Sequence, residues 1–212
     1  MRTRYGRSYF EGLLGQGTPN SPRNRNRLAL ILSECQQGQL LEIGCGPGHF
    51  LRTAAAHFEV TGLDISSYVA GPLAGLSGTQ IKQADIENCS LPENKYVVVA
   101  AFNVLEHLSS PVLVVQAIYQ TLQPGGLLVG SVPHNRGLIG RAHTILTNFF
   151  DKTHCSTYPP ARWRQLFSAA GFTEVDFFGE VMYGKKQSWY LRGASWQRMA
   201  FNLIFRCWKP VY

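Results

Sequence analysis

The segment Leu40-Leu41-Glu42-Ile43-Gly44-Cys45-Gly46-Pro47-Gly48 limits what this chain can fold into more than any other. An apolar run ends in alternating glycines, and an alanine-rich stretch, Phe50–His57, follows as a helix. Glycine at such positions lets the backbone turn tightly and leaves no Cβ in the way of a ligand. A second apolar run, Glu59–Leu63, is closed by Asp64, 20 residues after Gly44. Further strand-like runs stand at Thr79–Ala84, Tyr96–Phe102 and Leu127–Val132. Between the last two, Ser110-Pro111 opens a helix that runs to Leu122, with Ser as N-cap and Pro in its first turn. Pro124-Gly125-Gly126 marks a turn, and Pro159/Pro160 start another helix that ends at Gly171. Leu28–Cys35 reads as a short helix and Ser66–Leu76 as a poor one, broken by Gly71, Pro72 and Gly75. Thr173–Phe178 and Val181–Tyr190 complete the set as two last strands.

This alternation implies an α/β fold, Rossmann-like and doubly wound, with a mostly parallel seven-stranded sheet and helices on both faces. At 212 residues the chain suits one domain with a proper core. The expected division is an N-terminal arm or lid over 1–27, a catalytic domain over 28–190 with an acceptor-side insertion at 134–160, and a C-terminal helix over 191–212. No uninterrupted apolar run reaches the roughly 18–20 residues of a spanning helix. The basic, polar start reads as lacking a secretory signal. Five scattered cysteines without C-x-x-C spacing argue against a zinc ribbon or disulfide framework and suit a reducing cytoplasm. The net charge of +7 sits at the ends: residues 1–27 carry +5, residues 185–212 carry +6, and the middle carries −4. Such ends are solvated termini or touch an anionic surface or substrate.

Both dinucleotide and S-adenosylmethionine sites use a glycine loop of this kind. A nicotinamide fingerprint would place glycine at position 49, where the chain has His49. No Gly-Lys-Ser/Thr ending makes it a Walker-type phosphate cradle. Asp64 stands where a ribose would lie, and its carboxylate can accept from both hydroxyls. The plainer alternative is that Asp64 caps the next helix.

From about residue 38 to 178 the chain resembles the class I S-adenosylmethionine-dependent methyltransferases, especially the small-molecule group that includes ubiquinone-biosynthesis O-methyltransferases. The run L-L-E-I-G-C-G-P-G-H-F-L is similar to that family's first motif, V-T-G-L-D-I to the second, Q-A-D-I to the third and A-F-N-V-L-E-H-L to the fourth. L-Q-P-G-G-L-L-V and Ala170–Phe172 resemble the turn, strand and helix exit that follow. The resemblance implies S-adenosyl-L-methionine as cofactor, held by Glu42, Gly44, Cys45, Gly46 and Gly48. It also implies Asp64 with Ile65 at the ribose, Asp85 and Ile86 at the adenine, and Phe102, Asn103 and Val104 lining the pocket, with His107 in support. One departure is Val97, where the family often has Asp.

The implied reaction is an in-line methyl transfer to oxygen, nitrogen or carbon of a small-molecule acceptor. Alignment of the reacting atoms should dominate, with one base at most. His134, directly after the fifth strand, is the first candidate for catalysis, followed by His154 and Tyr158 in the insertion. A metal site from His134, Asp151 and His154 matches no strong ligand spacing, so none is expected. The fourth motif lacks the Asn/Asp-Pro-Pro-aromatic and Pro-Cys signatures of DNA-methylating enzymes, so nucleic acid is not the expected acceptor. Tyr5, Tyr9 and Phe10 on the arm are expected to close over the cofactor. On a helical wheel Arg198, Asn202, Arg206 and Lys209 form one strip, and Trp196, Met199, Phe201, Leu203, Ile204, Phe205 and Trp208 fill the rest. Such a helix would pack on its own domain, join a homodimer or lie at a membrane surface. The competing readings are a non-catalytic S-adenosylmethionine-binding regulator or scaffold, and a nicotinamide oxidoreductase, which His49 disfavours.

Overall fold

A computed structural model describes residues 19–69, 78–134, 155–183, 187–193 and 200–212. The elements in chain order are α1 (Pro22–Leu32), β1 (Gln39–Ile43), α2 (His49–Ala54), β2 (Glu59–Asp64), β3 (Thr79–Gln83) and β4 (Tyr96–Phe102). They continue with α3 (Pro111–Thr121), β5 (Leu122–Pro133), α4 (Pro160–Ala169), β6 (Thr173–Tyr183), β7 (Gln187–Leu191) and β8 (Asn202–Trp208). The sheet runs β3-β2-β1-β4-β5-β8-β6-β7. The first five strands are parallel, while β8 is antiparallel to both β5 and β6, and β7 is antiparallel to β6.

Helices cover both faces, as a doubly wound fold requires. On one side Leu41, Val99, Leu128 and Phe205 meet Val115 and Ile118 of α3 and Trp163 and Phe167 of α4. Phe167 lies 6.0 Å from Trp163 in a stacked pair and 4.8 Å from Phe205. On the other side Leu40, Val98, Ala100, Phe102 and Val129 meet Leu28 and Ile31 of α1 and Phe50 and Leu51 of α2. Strands buried on both faces read as continuous apolar runs, which is why β4 and β5 stand out in the sequence.

Several expectations are corrected. The C-terminal stretch is not a helix where it is described, because Asn202–Trp208 forms strand β8 between β5 and β6. Leu203, Phe205 and Cys207 enter the α3/α4 core while Asn202, Ile204 and Arg206 face α1. Because both faces are buried, the alternation left no polar stripe for a period-two reading to find. The catalytic domain therefore extends beyond residue 190, and the sheet has eight strands among the described residues rather than seven. Finally, the N-terminal segment is helical from Pro22: Ser21 accepts the Asn24 N–H at 3.3 Å and Pro22 opens the first turn, so residues 22–27 belong to α1 and not to an arm. The turn expected at Pro124-Gly125-Gly126 lies inside β5, where the pairing with β4 shifts register between Tyr96 and Val98. Tyr5, Tyr9, Phe10, Asp151 and His154 lie outside the described residues.

Candidate cofactor and acceptor site

The strand order reverses at β1, which has β2 on one side and β4 on the other. Open α/β sheets bind ligands outside the carboxyl ends of strands at such a point. The glycine loop sits there, with φ of 67° at Gly44 and 52° at Gly46. These two glycines do different work. A Cβ on Gly44 would stand 2.4 Å from Cγ2 of Val104, so its bare backbone makes room for the β4 exit. A Cβ on Gly46 would meet nothing within 4 Å among the described residues, so that stretch of backbone faces open space there.

Asp64 ties this loop to the end of β2. Its Oδ2 accepts the Gly46 N–H at 2.9 Å and its Oδ1 accepts the Ser66 N–H at 2.9 Å. Burial raises its pKa, and these backbone donors oppose the rise. A carboxylate offers about four lone-pair directions, so each oxygen keeps capacity for a further donor. Gly48 is the N-cap of α2 and supplies no side-chain cap, but Glu42 compensates from β1 through a bond with the Leu51 backbone. The other oxygen of Glu42, Oε2, is buried and has no hydrogen-bond partner among the described residues. Burial pushes the Glu42 carboxyl up to about 8, against the pull of Arg27 and with a further push from Asp64. The buried Cys45 thiol is likewise raised by burial, then by Glu42 and Asp64, so it is no nucleophile. Ile65 is half-buried beside Asp64.

At the exit of β3, Asp85 accepts the Glu87 N–H at 3.0 Å and the Asn88 side-chain amide at 2.9 Å, with Ile86 buried next to it. At the exit of β4, Phe102 meets Phe50 edge-on at 5.1 Å. Asn103 follows in the left-handed region, φ 56°, held by its N–H to the Ser131 carbonyl at 2.9 Å and by the Ser131 hydroxyl to its Oδ1 at 2.6 Å. His107 donates its N–H to the Val104 carbonyl in the short turn beyond. The carbonyl of Glu106 in that turn accepts from both Cys155 and Ser156, at 2.9 and 2.8 Å, which pins the end of the insertion to the β4 exit. Tyr158 then packs its ring 5.1 Å from Trp163. His134 is buried after β5, its N–H donating to the Phe201 carbonyl.

Sequence reasoning missed a group of polar residues beneath α1. Arg27 is buried, with its guanidinium 4.0 Å over the Phe102 ring, and its Nε has no partner among the described residues. Burial and neighbouring Arg23 lower its pKa to about 10, so it remains a cation at neutral pH. Arg23 grips Glu180 with two bonds, Nε to Oε1 at 3.0 Å and Nη2 to Oε2 at 2.7 Å, and reaches Asn103 Oδ1 at 3.4 Å. Asn202 donates to the same Glu180 Oε2 at 2.9 Å. The available signals were the i, i+4 spacing of Arg23 and Arg27 on one helix and a glutamate in the otherwise uncharged second half of β6, Phe177–Tyr183. Neither names its partner.

The family described as "Methyltransferase domain" matches residues 18–176. A probable S-adenosylmethionine-dependent methyltransferase of Mycolicibacterium smegmatis is 29% identical over 156 residues, covering 73% of this chain and 59% of that protein. A tRNA U34 carboxymethyltransferase of Desulfotalea psychrophila is 27% identical over 175 residues, covering 74% of this chain and 52% of that protein. A ubiquinone biosynthesis O-methyltransferase of Cronobacter sakazakii is 34% identical over 98 residues, covering 42% of this chain and 39% of that protein. The chain thus spans about half the length of the curated relatives it matches. In fold it is similar to the crystal structure of a SAM-dependent methyltransferase from Archaeoglobus fulgidus, with a TM-score of 0.71 at 17% identity, over 96% of this chain and 100% of that one.

Proposed function

The chain belongs to the S-adenosylmethionine-dependent methyltransferases of the methyltransferase-domain family, and from that membership we propose that it methylates a small-molecule acceptor at oxygen, nitrogen or carbon. The observation that carries this reading is the bare Gly46 backbone facing open space with the Asp64 carboxylate bonded beside it. An adenosine needs both: close approach to a main chain, and an acceptor for its ribose hydroxyls. The orphaned polar atoms fit the rest of the cofactor. Arg27 Nε offers a donor to its carboxylate and Glu42 Oε2 an acceptor to its ammonium, while Asp85 and Ile86 suit the adenine.

When bound, S-adenosylmethionine supplies a methyl group already activated by the positive sulfonium. The protein's own share is then mostly alignment and exclusion of water, with Phe102, Asn103 and Val104 forming one wall. For a hydroxyl acceptor, we assign the proton to a ring nitrogen of His134, with Tyr158 and His154 as the alternatives on the insertion side. His107 supports the wall from the turn after β4.

The relatives act on unlike acceptors, so the charge at the chain ends bears on the choice. Of the twelve cations at the ends, six lie among the described residues, and four of these are engaged inside the fold. Arg23 is paired with Glu180, Arg27 lies on Phe102, Arg206 bonds Glu34 and Asp176, and Lys209 bonds Asn94 and the Leu122 carbonyl. Cations engaged in this way are not free to neutralise phosphates, which favours a small molecule over a tRNA. The test is a screen of phenols, quinones, amines, sugars and tRNA for acceptor-dependent release of S-adenosylhomocysteine. Release with tRNA alone overturns the small-molecule reading. Tight cofactor binding with no release in any arm supports the regulator or scaffold instead.

A further inference from the structure

The polar residues beneath α1 share one face of the sheet, stepped diagonally across its rows. By strand alternation Glu42 of β1, Phe102 of β4, Ser131 of β5, Asn202 of β8 and Glu180 of β6 all face the α1 side, and Asn202 and Glu180 are direct cross-strand partners. Glu180 is fully buried, and every described bond to its carboxylate comes from Arg23 or Asn202. A buried ion pair is a poor way to stabilise a fold, since apolar residues of similar volume do as well or better. What it does provide is geometry, because a forked guanidinium on a carboxylate has one arrangement.

That geometry acts on two things at the site. Through Nη2, Arg23 reaches Asn103 Oδ1, on a residue whose left-handed backbone is also braced by Ser131. Through α1 itself, one turn further on, it sets where Arg27 lies over Phe102 beside Glu42. We propose that Glu180 is a positioning residue of the methyltransferase site: by clamping Arg23 it seats helix α1 so that Arg27 and Asn103 complete the end of the pocket that receives the amino-acid half of the cofactor. The inference rests on the cofactor reading above and adds to it a residue 157 positions from its partner, outside every glycine-loop motif.

A merely structural role for Glu180 would weaken all ligands alike, or none. A positioning role predicts a split. S-adenosylhomocysteine carries the amino-acid half, and 5′-methylthioadenosine has the same adenosine without it. Calorimetry on the full chain with both probes should show Glu180→Gln weakening S-adenosylhomocysteine by about tenfold while methylthioadenosine changes by less than about twofold. Arg27→Ala should show the same split, and Glu180→Gln added to Arg27→Ala should cost nothing more. Because Glu180→Gln leaves Arg23 facing an uncharged partner, Arg23→Gln/Glu180→Gln, which removes both charges, serves where the single variant folds poorly, and Arg23→Lys, which keeps the charge but not the fork, should weaken S-adenosylhomocysteine with the same split. Equal loss of both probes, or no loss of either, overturns the positioning role while leaving the cofactor reading intact. A wild-type chain that binds neither probe overturns both.

Discussion

The two halves of the sheet are built on different rules. From β3 to β5 the strands are parallel, and the site along their carboxyl edge is made of backbone: Gly46, with no described atom beside it, and N–H groups gathered on Asp64. From β8 to β7 they are antiparallel, and what they contribute to the α1 face is side chains: Asn202, Glu180, Arg206 and Tyr190. In the first half the chemistry is local, since a loop and its partner acid are 18 residues apart. In the second it is carried by pairs such as Arg23–Glu180 and Arg206–Glu34, 157 and 172 positions apart. The lesson is that the proposed cofactor cradle is local in sequence, whereas the ion pairs beside it join α1 and its end to strands more than 150 positions away.

The largest effect that bears on this division concerns whether β8 is truly core. Phe205→Ala removes a ring packed 4.8 Å from Phe167, and should lower stability by about 3–5 kcal/mol in chemical denaturation. A loss below about 1 kcal/mol would mean that the last strand is an appendage and that the sheet ends at β5. Next in size, Asp64→Ala should weaken cofactor binding by about 2–3 kcal/mol, through lost charge-assisted bonds. Affinity like that of the wild type would refute the ribose assignment and leave Asp64 as a loop brace for Gly46 and Ser66. His134→Ala should retain cofactor affinity but turn over more slowly, and unchanged turnover would remove it from the mechanism.

These halves were also unequally legible. The parallel half could be read because each motif carries its own context: a glycine loop after an apolar strand, and an acid closing the next one. The order of five motifs then located Glu42, Asp64, Asp85 and Phe102 at strand ends where the structure has them. β8 was misread as a helix because Leu203-Ile204-Phe205 and Cys207 are apolar on both faces, so neither period is excluded. The β-branched and aromatic content was the better guide. Arg23 and Arg27 looked like part of a polar arm because nothing in their neighbourhood announces a carboxylate on β6. A buried ion pair has no sequence period, and only the topology that brings β6 and β8 next to β5 makes it visible.

Glu42 and Glu180 offer a finer comparison, one glutamate from each half on the same face of the sheet. Burial raises Glu42 to about 8, so the folded protein holds that proton more tightly than the unfolded chain. Its favourable contribution is complete below the ordinary carboxylate range and fades as pH rises through about 8. Glu180 goes the other way: burial pushes it up, but Arg23 and Asn202 outweigh this and lower it. Its contribution is present above the ordinary value of 4.5 and disappears as pH falls through the lowered one. Thermal melts across pH should therefore show Glu42→Gln gaining a few degrees relative to wild type near pH 8. Glu180→Gln should be most destabilised at neutral pH and converge on wild type only in acid. If both variants shift in the same direction, the two carboxylates do not differ as the site requires.

The smallest expected effect tests how the antiparallel half is held to α1. Arg206 bonds Glu34 at 2.6 Å and Asp176 at 3.2 Å, and lies 5.1 Å from the rings of both Phe178 and Trp208. Glu34 is partly exposed just beyond the end of α1, where an ion pair is screened by water and salt. With Asp176 and two aromatic faces left to hold the guanidinium, Glu34→Ala should cost only about 0.5–1 kcal/mol, and less in high salt. The buried cation is what matters there, so Arg206→Ala should cost clearly more than Glu34→Ala. Equal costs would mean that this junction depends on the exposed pair alone, leaving Arg23–Glu180 and the Asn26 amide on the Ser188 carbonyl to tie α1 to the antiparallel strands.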